Sequence, residues 1–348
     1  MIKFNNFSIL FVLISLFFLK VVAYLTFKGL DLNFLGGGND SVYYHSYAVG
    51  ELDHAVNLWP VILRFLNDLG VYDRDGVSFF MFFLDLMFVP FLVYLCSVFS
   101  MTGRRQRVFL ISYLVVAAYP SLFFFSLDIY RDLVMLAVFL LAVFAFRLRL
   151  ERGGIVYIVL FFLLCYVSFL FRKYLGGAMF ISYVLLFLYS KTSKYFWGWV
   201  VFYVVGLMVA QALGAFDAIT TYRGEDGFAG GGATLGVGLS GRDPFTFLTL
   251  FLYSFLAQVL GLYFPNPSSV LVFLVESVPF FFAFLYVLKN RAHMNFLCKY
   301  LLIFFVVYTT IWVIGNDNLG TAVRLRVPGY LSIFICFLII SQRKRILS

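Results

Sequence analysis

Charge is what this chain has least of. Asp, Glu, Lys and Arg make up 12% of its 348 residues, where a soluble domain carries about a quarter. That scarcity excludes an ordinary soluble fold, and with it the inference that a net charge of +9 marks a nucleic-acid binder, because the charge must first be divided between two faces of a membrane. Histidines are few and scattered, at His45, His54 and His293, which excludes a zinc motif and argues against a histidine-based acyltransferase. Cys96, Cys165, Cys298 and Cys336 lie in or beside apolar segments without CxxC spacing, so neither a disulfide framework nor a metal site is expected. The triple glycine of GGGND lacks the GxxxxGK[ST] pattern of a phosphate loop.

What the chain does have is hydrocarbon. Its hydrophobic fraction is 63%, its mean hydropathy +0.97, and 47 residues are phenylalanine. The expected fold is all-α, a single integral-membrane helical bundle spanning residues 1–348. Runs near the roughly 20 residues needed to cross a bilayer fall at 7–27, 77–100, 108–126, 131–147, 155–171, 176–190, 195–215, 270–288, 300–315 and 328–341. The first is too long for a signal-peptide core and lacks a small-residue cleavage site, so it reads as a retained span.

Basic clusters fix an expected orientation. Arg104, Arg105 and Arg107; Arg147, Arg149 and Arg152; Lys191 and Lys194; Lys289, Arg291 and Lys299; and Arg343, Lys344 and Arg345, together with Lys3, hold more than half of the 26 basic residues. Of the 17 acids only Glu151 lies among them. The rule that short cytoplasmic loops carry Lys and Arg therefore places both termini inside. The apolar run 245–263 breaks this alternation, so it is expected to be re-entrant or interfacial, between Pro244 and the FPNP stop, with an eleventh span as the alternative. Two large outer loops follow, 28–76 and 216–269. The first contains seven acids and NLWPVILRFLNDLG, whose Leu58, Ile62, Phe65 and Leu69 recur at helical spacing and suggest a surface-lying amphipathic helix. Tyr43, Tyr44, Tyr47 and Trp59 read first as interfacial anchors.

Several cations defy the charge rule by falling on the outer side: Arg131, Arg172, Lys173, Arg223, Arg242, Arg324 and Arg326. Each needs a carboxylate partner, a snorkelling position at the headgroups, or an anionic ligand. Asp128 and Asp132 flank Arg131, and Asp243 follows Arg242; Arg172 and Lys173 have no acidic neighbour in sequence; Arg324 and Arg326 have only Asp317. Guanidinium forks grip phosphate oxygens bidentately, so this convergence points to a phosphorylated lipid. Asp40 or His45, with Glu225 or Asp226 in reserve, could take a proton from a sugar hydroxyl. Asp85 and Glu276, inside spans, must face the bundle interior.

GGGNDSVYYHSYA, NLWPVILRFLNDLGVYDRD, FRKYLG, the glycine-rich loop with Arg223 and RDPF, and GNDNLGTAVRLRVPGY together resemble the Wzy-type polysaccharide polymerases, the O-antigen polymerases. The chain departs from that family's R-x10-G loop pattern, since Thr234 stands at the expected offset from Arg223 and Gly236 lies two residues on. The resemblance implies about ten spans with two large periplasmic loops in a bacterial inner membrane. It further implies a metal-independent glycosyltransferase, without cofactor, that joins undecaprenyl-diphosphate-linked oligosaccharides, with a chain-length-regulating co-polymerase as a partner. A transferase using a polyprenyl monophosphate sugar and a flippase for the same lipid-linked sugars are the alternatives. Loss of a polymerase would leave single-repeat glycans at the surface, whereas loss of a flippase would leave none.

Overall fold

A computed structural model describes residues 6–30, 39–98, 105–192, 195–225, 234–239 and 243–347. Among them every regular element is helical, apart from one isolated bridge between Thr234 and Asn318. Six helices are long and apolar enough to cross a membrane: Asn6–Gly29, Arg74–Ser97, Asp132–Arg152, Pro267–Lys289, Phe296–Gly315 and Leu319–Lys344. Shorter apolar helices accompany them, so the chain is a helical, multi-pass membrane protein. It forms two compact units, Met1–Gly177 with Leu338–Ser348, and Ala178–Phe337.

The first unit begins with α1 (Asn6–Gly29), α2 (Asn39–Val49) and α3 (Leu58–Asp68). Asn57 starts α3 by accepting the Trp59 N–H at 2.9 Å, a side-chain cap for an orphaned donor. Trp59, Pro60 and Leu63 are buried, while Phe65 and Leu69 of the expected stripe stay exposed. Next come α4 (Arg74–Ser97), α5 (Arg105–Ala117) and α6 (Pro120–Ser126). The run expected as one span at 108–126 is broken into α5 and α6, bent by 68°, because Pro120 and the extended Tyr119 before it interrupt the hydrogen-bond ladder.

Two antiparallel helices follow, α7 (Asp132–Arg152) and α8 (Ile155–Phe171), joined by Gly153 and Gly154. Both glycines have positive φ, 79° and 61°, which other residues adopt only at a cost. Leu133, Leu136, Leu140, Val143 and Phe146 bury α7 along its length. The helix α9 (Lys173–Thr192) then starts back against α8. Lipid tails are as apolar as leucine, so close approach at small residues is a main source of helix association. Gly176 supplies it here: a Cβ at this position would overlap the Cys165 carbonyl and the Phe169 backbone nitrogen.

The second unit contains most of α9, then α10 (Phe196–Ala212), α11 (Asp217–Glu225), α12 (Pro244–Gln258), α13 (Pro267–Lys289), α14 (Phe296–Gly315) and α15 (Leu319–Leu347). Its core lies along α14, where Tyr300, Phe304, Tyr308 and Trp312 are all buried. The helix α15 begins well before the expected 328, since Asn318 accepts the Thr321 N–H at 2.9 Å and starts a turn there. Pro328 is accommodated inside it.

A shared device appears in both units. In α4 and in α13 a π-helical turn, Leu84–Phe88 or Phe273–Ser277, immediately precedes a Val-Pro pair. Pro90 and Pro279 have no N–H to continue the ladder. The valine before each donates to the carbonyl five residues back, Val89 to Leu84 and Val278 to Phe273. Each π turn contains one buried acid, Asp85 in the first and Glu276 in the second.

Packing at Gly176 gives a direct check. Gly176→Ala should lower stability by about 1–3 kcal/mol, the usual cost of overpacking, read as a lower unfolding temperature of the detergent-solubilised protein, whereas Gly177→Ala, with open space around its Cβ position, should leave that temperature unchanged.

Candidate functional site

In the first unit the candidate residues gather where α7 begins and α8 ends. A short loop, Leu127–Arg131, leads into α7 and is held on three sides. The Trp59 indole donates to the Ile129 carbonyl at 2.8 Å, and the Ser78 hydroxyl donates to that of Leu127 at 2.9 Å. Arg74 donates twice to the Asp128 carboxylate, at 3.2 and 2.7 Å. Burial pushes the Asp128 carboxyl up, but hydrogen bonds from Arg74, the Ile129 N–H and Ser41 outweigh it and hold the group below its ordinary value. The bidentate fork is the geometry in which a guanidinium and a carboxylate bind best.

Asp132 faces a different cation, Arg172, with 3.7 Å between Oδ1 and the guanidinium. Both side chains are buried, at 7% and 5% exposed. The consequence falls on Arg131. Its two flanking acids, which the sequence suggested as its partners, go to Arg74 and Arg172. Half-buried Arg131 keeps a single long hydrogen bond, 3.5 Å, to the Phe171 carbonyl, and it makes no ion pair among the described residues. Lys173, one turn-start further on, is exposed and likewise without an ion pair among them.

Tyr44 of α2 joins this group. Its hydroxyl is shifted upward, by burial first, while Arg131 pulls it down and Asp40 and Asp132 push it up. One buried phenol thus stands in the fields of Arg131, Asp40 and Asp132 together. His45 is turned elsewhere: its Nδ1 and the Tyr72 hydroxyl share a 2.9 Å hydrogen bond, with the two rings stacked. Burial pushes Tyr72 up to about 12, against the pull of Arg74, so this phenol stays protonated and can donate to the imidazole. Of the two preferred bases, Asp40 shares with Arg131 the surroundings of Tyr44, and His45 is engaged with Tyr72.

The second unit binds its outlying arginines internally. Arg223 of α11 donates to Asp317 at 2.6 Å, to the Val313 carbonyl at 2.7 Å and to Ser254 at 3.2 Å. Burial lowers its pKa, and Asp317 opposes that. Asp317 also accepts the Gly236 N–H at 3.0 Å, and its carbonyl accepts that of Leu235 at 3.0 Å, so it ties α11 and the glycine-rich loop to the start of α15. Beside it the amides of Asn316 and Gln258 are linked, at 2.6 Å from Asn316 Nδ2 to Gln258 Oε1 and 2.9 Å from Gln258 Nε2 to the Asn316 carbonyl.

Arg324 and Arg326 lie on α15, where two residues apart means different faces. Arg326 is buried and donates to Glu276 at 2.8 Å, and its planar group lies over the Tyr330 ring. Arg324 is half-buried. The Tyr330 hydroxyl reaches the Val259 carbonyl and Ser277, and its ring stacks on Phe280 at 3.8 Å. Backbone alone is described for Glu225, at the end of α11; Asp226 and Arg242 lie outside the described residues. Asp243 caps α12, accepting the Phe245 and Thr246 N–H groups at 3.0 and 3.1 Å.

Two features went unread in the sequence. Lys20 of α1 pairs with Asp85 at 2.7 Å, with both side chains buried, and Arg326 finds Glu276 fifty positions away. Opposite charges placed in mid-span were the available signal, because an isolated one is expensive in lipid.

Compared with protein families, with characterised proteins and with solved structures, the chain shows no significant match.

The Arg326–Glu276 pair can be tested on its own. Glu276→Ala leaves a buried guanidinium uncompensated and should cost about 3–5 kcal/mol; adding Arg326→Leu should restore most of that, read as recovery of the unfolding temperature in the double variant.

Proposed function

We propose that this protein is a membrane glycosyltransferase of the polysaccharide-polymerase type, joining undecaprenyl-diphosphate-linked oligosaccharide units at the outer face of a bacterial inner membrane. The observation that carries the proposal is Arg131, a half-buried guanidinium whose neighbouring carboxylates are both committed to other cations. With Lys173 beside Arg172, it offers uncompensated positive charge at the end of two membrane helices, where the diphosphate of a polyprenyl lipid would lie. Such charge would stabilise the departing diphosphate as the bond from the anomeric carbon to the phosphate oxygen breaks and the acceptor hydroxyl forms the new glycosidic bond. Asp40, in the field shared with Arg131 at Tyr44, is the preferred base for the acceptor hydroxyl, with His45 as its rival.

The proposed topology follows the same logic. The six long spans, the bent α5–α6 pair, and the shorter helices α8, α9 and α10 make ten crossings, leaving the 15-residue α12 as a re-entrant or interfacial piece. The basic clusters then lie in the cytoplasm with both termini, and Arg131, Arg172 and Lys173 lie outside. The exposed Phe65 and Leu69 of α3 suit contact with the outer lipid surface. Arg223 and Arg326, engaged by Asp317 and Glu276, are better suited to holding the second unit together than to gripping a ligand.

A transferase using a polyprenyl monophosphate sugar would draw on the same cations and on Asp40, and is the second reading. A flippase is less well supported, since the mid-span cations Lys20 and Arg326 are each neutralised by a buried acid.

In a strain whose surface polysaccharide depends on this protein, Arg131→Gln should reduce long chains to single repeats, with Arg131→Lys recovering part of the length, because lysine keeps the charge and loses the fork. Normal chain lengths with Arg131→Gln, at normal protein levels in the membrane, would overturn the assignment.

A further inference from the structure

The cation cluster of the first unit also contains a carboxylate that the proposed reaction has not used. Asp132 is 7% exposed, and among the described residues its Oδ1 has no hydrogen-bond partner. The Arg172 guanidinium stands 3.7 Å away, beyond hydrogen-bond reach. A buried carboxylate normally satisfies each oxygen, because leaving an acceptor unmet costs its desolvation in full. Its neighbour Asp128 does so, with two bonds from Arg74 and one from the Ile129 N–H at 2.8 Å. Two acids four residues apart on the same loop and helix start therefore differ in kind: one is saturated by described groups, and the other encloses an acceptor that none of them meets.

What surrounds that acceptor suggests its partner. Arg131 precedes Asp132 and carries no ion pair among the described residues, Lys173 follows Arg172, and the Tyr44 phenol stands in the fields of Arg131 and Asp132 alike. A ligand binding here meets cationic donors and one anionic acceptor side by side. Phosphate satisfies the donors but has no proton to give the acceptor when fully ionised; a hydroxyl does. The combination fits a phosphate ester whose next group bears a free hydroxyl, which describes the first sugar of a lipid-linked glycan.

We propose that Asp132 is a substrate-binding residue, accepting on Oδ1 the hydrogen bond of a hydroxyl on the sugar attached to the phosphate, while Arg131 and Lys173 take the phosphate oxygens. This rests on the assignment of the Arg131 cluster as the substrate-phosphate site. It separates two roles within one cluster: the cations set affinity for phosphate, and Asp132 selects what the phosphate carries.

The two roles can be told apart with inorganic diphosphate and a polyprenyl-diphosphate disaccharide as probes, titrated against the full-length protein in nanodiscs. Asp132→Asn keeps the shape and removes a negative charge, so diphosphate should bind as tightly as to the parent protein or tighter, while the disaccharide lipid should bind at least tenfold more weakly. Arg131→Gln should weaken both probes. If Asp132→Asn weakens neither probe, or weakens both equally with an unchanged unfolding temperature, the hydroxyl role is wrong while the phosphate site stands. If Arg131→Gln leaves diphosphate binding intact, the phosphate site itself is wrong. Should Asp132→Asn fail to fold, Asp132→Glu serves: a longer reach to the same acceptor should retain diphosphate and lose disaccharide binding, and retention of both would overturn the proposal.

Discussion

A charge inside an apolar bundle must be neutralised where it stands, and the described part of this protein is built around that constraint. Moving a carboxylate or guanidinium out of water costs several kcal/mol per ion even after relaxation, so each buried ion has to meet its opposite at short range. Lys20 meets Asp85, Arg326 meets Glu276 and Arg223 meets Asp317, at 2.7, 2.8 and 2.6 Å. These pairs join segments far apart in sequence and thereby fix which helices are neighbours. Such pairs add little net stability compared with well-packed apolar side chains. What they contribute is selection, because a helix that slips in register strands a charge.

The helices widen locally where these acids stand. Both mid-span acids sit in π turns ahead of a proline, where one extra residue per turn redirects the side chains of α4 and α13. Asp317 performs a wider service. Through one carboxylate and one carbonyl it satisfies a buried arginine and the backbone N–H groups of Leu235 and Gly236, so the described part of the glycine-rich loop is held to the start of α15. Against this background of internal compensation, half-buried Arg131 stands apart because both acids beside it in sequence pair with other cations, and a departure of this kind is where function is expected.

The helical, membrane-spanning class was legible from composition, since no other fold class can satisfy its backbone within such long apolar runs. The interior placement of Asp85 and Glu276 followed from cost alone. Pairings were not legible. Arg131 stands between two aspartates in sequence, and local spacing pairs it with them; in the structure Arg74 and Arg172 arrive from other helices and take both. Arg326 shows the opposite error, since its sequence neighbourhood offered only Asp317, which Arg223 claims, while Glu276 comes from α13. The start of α15 at Leu319 was hidden by Pro328, whose presence inside a helix is tolerated in membrane bundles because neighbouring groups and local adjustments satisfy the freed carbonyl.

The cations at the start of α7 and the end of α8 are proposed to bind the phosphate of a lipid-linked sugar. An electron cryomicroscopy structure of the protein in nanodiscs, with a polyprenyl-diphosphate glycan bound, tests it most directly. Phosphate density is expected within hydrogen-bond distance of Arg131 and Lys173, with the Arg74–Asp128 pair intact. Phosphate density elsewhere, with Arg131 still directed at the Phe171 carbonyl, would contradict it.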